Sequence, residues 1–128
     1  MLTCATLTFL TKRTQSVVIG GESSAPVVTT SGVLQGTVLG PLLFLMYVND
    51  LPNGLNATVR LFADDALLYG TICCDEDTTD LQDDLYRLED WQQKWQMEFN
   101  PSKCTIICFT TRRDPPKREY LFCGEILE

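Results

Sequence analysis

Residues 59–70, VRLFADDALLYG, set two adjacent carboxylates, Asp64 and Asp65, between two apolar, β-prone runs. The runs Val59 to Phe62 and Ala66 to Tyr69 read as the arms of a hairpin with the acids at or near its tip, because aspartate hydrogen-bonds to turn backbone. Neighbouring like charges repel, and burial penalises ionising both, so such a pair needs open water or a compensating cation. Two readings follow. In one, the acids simply make a solvated turn. In the other, a divalent cation sits between the carboxylates and a phosphate, keeps both ionised and makes an oxygen-rich site of the kind that suits Mg²⁺. A two-metal site for phosphoryl transfer generally draws a third carboxylate from another strand.

Upstream, QSVVIGGESSAPVVTTSGV (15–33) places two β-branched runs around Gly20 and Gly21, the pattern of a hairpin turned by glycine. Between the two hairpins, apolar residues at 38, 39, 42, 43, 45, 46 and 48 are too continuous for one helical face. They predict a helix buried on most sides and ended by Pro52 and Gly54. Downstream, Leu81, Leu85, Leu88, Trp91, Trp95 and Phe99 recur at spacings of three and four. That periodicity predicts an amphipathic helix, with Thr79 and Gln82 at capping-box spacing, Asn100 and Pro101 as its stop, and both tryptophans in its packed stripe. KCTIICFTT (103–111) and EYLFCGEIL (119–127) read as two more strands, joined by the basic loop TRRDPPKRE. The predicted order is ββ, α, ββ, α, ββ: a single α+β domain over residues 1–128, an antiparallel sheet backed by helices.

With 45% hydrophobic and 21% charged residues, the 128-residue chain has the composition of one globular domain. Its net charge of -7 argues against a free-standing nucleic-acid binder, since neutralising phosphates takes clustered Lys and Arg. The six cysteines come without a CxxC pair and without any histidine, so zinc and disulfide frameworks are both weak readings. On one strand, Cys104 and Cys108 would lie about 13 Å apart at roughly 3.3 Å per residue, too far to share an ion. Reduced thiols in an intracellular protein are the expectation. In MLTCATLTFLTKR the charges follow the apolar run, the wrong order for a secretion signal. VLGPLLFLMYVNDL (38–51) falls short of the roughly 20 residues of a membrane span.

Taken together, SGVLQGTVLGPLLF (31–44), LFADD (61–65) and FNPSKC (99–104) occur in the order and at about the spacing seen in reverse transcriptases of non-LTR, LINE-type retrotransposons. FLTKRTQSVV (9–18) and YVNDLP (47–52) also look like the stretches beside those motifs, so the resemblance runs from about Phe9 to Leu127. It implies a partial palm subdomain of an RNA-directed DNA polymerase. It implies that Asp64 and Asp65 hold the catalytic metal, two Mg²⁺ ions in the intact enzyme. Ser31, Gly32, Gln35 and Gly36 match a loop beside the templating base and incoming nucleotide, where glycine permits close backbone approach and glutamine offers a donor and an acceptor. Phe62 and Ala63 fall where the primer end sits in similar enzymes; ordinary strand packing is the other reading of Phe62. Lys103 matches a lysine near the triphosphate, and the residue also reads as an exposed lysine at a strand start. RNA template, DNA primer and deoxynucleotide are the implied partners, with weak nucleic-acid binding expected of so acidic a chain and no membrane role.

Departures from the family pattern bear on the function. Leu34 stands where the family carries proline in SGxPQG, which gives that loop backbone freedom. The resemblance places the family's first metal-binding aspartate, its fingers, primer grip and thumb outside this chain, so the chain alone is expected to be inactive. A second reading therefore stays open, a decayed or domesticated remnant serving as a non-catalytic interaction module. A third, a small cysteine-rich zinc module, predicts stoichiometric zinc.

Overall fold

The computed structural model describes residues 9–111, 113 and 118–127, and the chain divides into two compact units, one ending at Val48 and one beginning at Asn49. The first unit holds strands β1 (Thr14–Gln15), β2 (Val18–Ile19), β3 (Glu22–Ser23) and β4 (Val27–Val28), then helix α1 (Leu39–Val48). The glycine-turned hairpin is present: Gly20 and Gly21 adopt φ of +61° and +89°, and Ile19 pairs with Glu22 across them. Val27 and Val28 pair not with the first β-branched run but with Gln15 and Thr14. Between the two ladders, residues 24–26 of the returning arm face only residues 16 and 17. The returning arm thus carries an extra residue, the mark of a β-bulge, and it includes Pro26, which has no N–H to give a ladder. Ser24 patches the break, its N–H donating to the Val17 carbonyl and its Oγ accepting the Val17 N–H.

Helix α1 is led in by Thr37, whose Oγ1 donates to the Leu34 carbonyl at 2.8 Å and accepts the Gly40 N–H at 3.1 Å. A Cβ at Gly40 would lie 2.5 Å from the Leu34 carbonyl oxygen, so this turn closes only over glycine. Pro41 sits in the first turn, where its missing N–H costs nothing. The expected burial of this helix is corrected. Only Gly40 and Val48 are buried, and Leu42, Leu45 and Met46 stand half or more exposed. Its ten residues carry no charge, so apolar groups circle the whole cylinder, and the described residues cover only part of it. The helix also stops at Val48, ahead of Pro52 and Gly54, which belong to the turn that follows.

In the second unit, β5 (Thr58–Phe62) and β6 (Asp65–Tyr69) form the central hairpin, α2 (Asp75–Trp95) follows, and β7 (Leu121–Phe122) and β8 (Glu125–Ile126) close the chain. Leu85 and Leu88 of α2 are buried with Leu51, Val59, Tyr120 and Phe122, and Leu81, Trp91 and Phe99 pack against that cluster. The expected tryptophan stripe holds. Trp91 also donates its indole N–H to Asp50 at 2.9 Å, and its ring lies 6.4 Å from that of Trp95. Phe99 belongs to the stripe without belonging to the helix, its ring 6.2 Å from Trp91 and 5.4 Å from Phe122. The chain leaves helical geometry at Gln96, which takes φ of +54°, before Asn100 and Pro101 are reached.

Three further expectations are corrected. Helix α2 starts before Thr79: Cys74 is its cap residue, and Asp77 accepts the N–H groups of Cys73 and Cys74 at 2.7 and 3.0 Å. Residues 104–110 join no strand, because EYLFCGEIL is not one strand but a hairpin of its own, turned at Cys123 and Gly124 with φ of +51° and +81°. Among the described residues the antiparallel pairing is four separate two-stranded ladders, so the α+β class and the pairing sense hold there while a continuous sheet does not. Most of the basic loop, residues 112 and 114–117, lies outside the described residues, as does Cys4. No helix among the described residues is long and apolar enough to cross a membrane.

Polar side chains of α2 fasten the rest of its unit. The Gln82 amide donates to the Leu121 carbonyl at 2.8 Å and accepts the Leu121 N–H at 2.9 Å, as a neighbouring strand would. Glu89 accepts the Cys123 N–H, and Gln92 accepts that of Phe99 at 2.7 Å. Two outcomes test this architecture. In urea unfolding, Leu88→Ala lowers stability by about 2–5 kcal/mol, whereas Leu45→Ala on α1 changes it by less than about 0.5 kcal/mol. The second concerns Asp77, whose carboxyl the N–H groups of Cys74 and Cys73 hold below its ordinary 3.8. A carboxyl lowered in the folded state contributes stability that is complete above the unfolded value and fades as pH falls through the folded one. Far-UV circular dichroism therefore shows α2 losing helicity below about pH 4, and Asp77→Asn removes that step.

Candidate functional site

Strand period two sorts the side chains of the β5–β6 hairpin. Val59 lies opposite Leu68 and Leu61 opposite Ala66, and Val59, Leu61 and Leu68 turn toward the core. Arg60, Phe62, Asp65 and Leu67 therefore belong to the other face, where Phe62 pairs with Asp65 to close the ladder. Phe62 is 82% exposed, which corrects the strand-packing reading of that residue. Ala63 and Asp64 form the two-residue turn, and Ala63 takes φ of +52°. An L-residue with a Cβ holds that conformation at a cost of about 1–2 kcal/mol. Asp65 begins β6 directly after the turn.

Both carboxylates are exposed, and among the described residues neither accepts a hydrogen bond nor pairs with a cation. Water solvates their charge, and the hairpin needs neither acid for its ladder. Their donor set is all oxygen and fits Mg²⁺ in kind, since that ion commonly takes one or two protein carboxylates and completes its octahedron with water and phosphate. Among the described residues no three or more Asp, Glu, His or Cys side chains are placed to hold one metal ion, so the pair has no third ligand there and the zinc-module reading finds no ligand set there.

Lys103 lies in a 3₁₀ turn, Pro101–Lys103, and not at the expected strand start. The turn is closed by the Cys104 N–H on the Pro101 carbonyl at 2.9 Å, and it leaves Lys103 exposed. Ser31, Gly32, Gln35 and Gly36 are exposed residues of the other unit. Arg13 braces their loop, reaching the Gly32 carbonyl at 2.7 Å and the Leu10 carbonyl at 3.1 Å. Gly32 and Gly36 take φ of +79° and +75° with open space where a Cβ would stand, so both turns use the freedom that glycine alone has.

The arrangement also relies on residues the sequence reading passed over. Asp84 is wholly buried in α2. Its carboxylate accepts the N–H groups of Asn56 at 3.0 Å and Ala57 at 2.6 Å, and Arg87 reaches the same carboxylate at 2.8 Å and the Gly54 carbonyl at 3.0 Å. These bonds seize the chain just before β5. The signal was present in the spacing, because residue 84 falls three after Leu81 and four before Leu88, on the buried stripe.

Cys73, Cys74 and Cys108 are exposed, and Cys104 and Cys123 are half-buried, all as free thiols. Burial pushes the Cys104 thiol up, with Glu125 adding to it, and burial followed by Glu89 does the same to Cys123. Held protonated, these two are poor nucleophiles and poor metal ligands. Maleimide labelling of the folded chain, mapped by mass spectrometry, accordingly marks Cys73, Cys74 and Cys108 first and Cys104 and Cys123 last.

The pattern of the family described as reverse transcriptase (RNA-dependent DNA polymerase) matches residues 2–125. The chain is 37% identical over 117 residues to a probable RNA-directed DNA polymerase from transposon BS of Drosophila melanogaster, covering 84% of this chain and 13% of that protein. It is 36% identical over 97 residues to a probable RNA-directed DNA polymerase from transposon X-element of the same species, covering 71% and 11%. It is 33% identical over 134 aligned positions to the RNA-directed DNA polymerase from mobile element jockey of Drosophila funebris, covering 88% and 15%. The chain thus spans between 11% and 15% of the length of these relatives. No solved structure matches it.

Proposed function

The chain belongs to the reverse transcriptase family, and from that membership we propose that it is the part of a non-LTR retrotransposon polymerase that carries the metal-holding acids, within the palm. The observation that supports this most directly is the hairpin tip, where Asp64 in the turn and Asp65 at the start of β6 are both exposed and, among the described residues, neither carboxylate has a partner. Bound Mg²⁺ supplies the charge that stabilises the attacking and leaving oxygens of phosphoryl transfer. The residues of this chain do the holding. Asp64 and Asp65 contribute oxygen ligands, and the exposed ring of Phe62 with the backbone of Ala63 offers a surface to the primer end. Ser31, Gly32, Gln35 and Gly36 present backbone and amide groups to the templating base and the incoming deoxynucleotide. The exposed ammonium of Lys103 serves the triphosphate.

RNA-templated DNA synthesis, with RNA template, DNA primer and deoxynucleotide as partners, is the activity proposed for the whole polymerase. This chain is proposed as a single partial palm domain of it, contributing two of the carboxylates. A net charge of -7 leaves nucleic-acid affinity to basic surfaces elsewhere in such an enzyme. Mn²⁺ titrated into the isotope-labelled chain tests the reading. Paramagnetic broadening is expected to centre on the amides of Ala63 to Ala66 and to vanish in Asp64→Asn with Asp65→Asn. Broadening centred instead on the acidic first turn of α2 sinks it. The chain by itself is expected to give no Mg²⁺-dependent primer extension.

A further inference from the structure

We propose that Asp84, braced by Arg87, is a positioning residue for the acidic pair: it fixes the direction in which the β5–β6 hairpin leaves α2. The inference rests on reading Asp64 and Asp65 as the metal-holding acids. Among the described residues β5 and β6 pair only with each other, and a lone two-stranded hairpin is marginal in water, so whatever joins it to the helix decides where its tip points. Two attachments do so. Val59, Leu61 and Leu68 pack on the core, a contact that permits tilting, because apolar packing is not directional. The other attachment is directional. Both oxygens of one fully buried carboxylate take the N–H groups of consecutive residues, Asn56 and Ala57, and so set the peptide plane that opens β5.

On the far side the chain is tied to α2 four residues beyond the end of β6, where Asp77 accepts the N–H groups of Cys73 and Cys74. A cavity of about 160 Å³ lies beside the anchor, lined by Asn56, Ala57 and Asp84 together with Gly70, Thr71 and Ile72 beyond β6. Space there leaves the hairpin room to tilt on its apolar contacts once Asp84 lets go. Charge-assisted hydrogen bonds to a buried carboxylate are the strong kind, and Arg87 supplies the cation that keeps this one compensated. Asp84→Asn preserves shape but turns an amide N–H₂ or a single oxygen toward two backbone donors, so one of them is left unpaired.

Residual dipolar couplings on the full chain decide the matter, because they report the orientation of β5–β6 relative to α2 and not stability alone. In Asp84→Asn, the couplings of α2 and of β7–β8 are expected to keep fitting one frame while those of β5–β6 depart from it. Couplings of β5–β6 that still fit the wild-type frame overturn the proposal. Should Asp84→Asn fail to fold, Arg87→Gln at the half-exposed partner is measured instead; a smaller departure of the same sense supports positioning, and none overturns it. Absence of Mn²⁺ broadening in the wild-type chain removes the metal reading alone, since the couplings still judge what Asp84 does.

Discussion

Among the described residues six of the eight strands are two residues long, and a strand so short leaves most of its backbone donors and acceptors without a ladder. Helix α2 supplies the missing partners for the second unit from its side chains. Gln82 acts as a surrogate strand for Leu121, Glu89 and Gln92 hold Cys123 and Phe99, and Asp84 holds the entry to β5. The same helix contributes Leu85 and Leu88 to the core, so one element both buries the apolar stripe and satisfies the polar backbone around it. Its 21 residues are long enough to reach every neighbour in the unit. Only a helix offers that combination, because its side chains radiate through the full circle while its own backbone is already paired.

Among the described residues, the first unit has no such organiser. Its hairpin is interrupted at Pro26, its ladders bury none of their residues, and α1 shows most of its apolar surface. The local chemistry is nonetheless specific. Arg13 links the base of the hairpin to the Gly32 loop, and Thr37 and Gly40 shape the entry to α1 around the Leu34 carbonyl. Leu34, the position where the family pattern carries proline, thus takes part in the turn through its carbonyl, a group that every residue has. The side chain at that position is itself exposed.

The acidic pair shows how a charged motif is tolerated on an apolar hairpin. The alternation of β5 and β6 turns Val59, Leu61 and Leu68 inward, and the tip carries the acids out into water, so their repulsion is screened and not buried. The turn is paid for by Ala63, in a conformation that glycine would adopt freely. Strain of this sort next to paired, unpartnered acids is the pattern of a segment shaped for something besides folding. The two tests of the hairpin probe different links: ion binding reads the tip, and orientation reads the root.

Much was legible in the sequence by itself. The glycine turn, the β5–β6 hairpin with its acids at the tip, the stripe of α2 and the α+β order all follow from local periodicity and turn chemistry, which act between residues close in the chain. The family's motif blocks, being short and ordered, were legible for the same reason, and the family comparisons agree with them. What the sequence left open depends on who meets whom. Phe99 joins the stripe after its helix has ended, EYLFCGEIL folds onto itself at Cys123 and Gly124, and, among the described residues, residues 104–110 find no strand partner and α1 is covered only in part. Asp84 is the sharpest case, since one acid among many becomes the buried anchor of the hairpin through two N–H groups nearly thirty residues away. Only the tertiary structure decides such contacts, because burial and long-range hydrogen bonding depend on neighbours in space that no local pattern encodes.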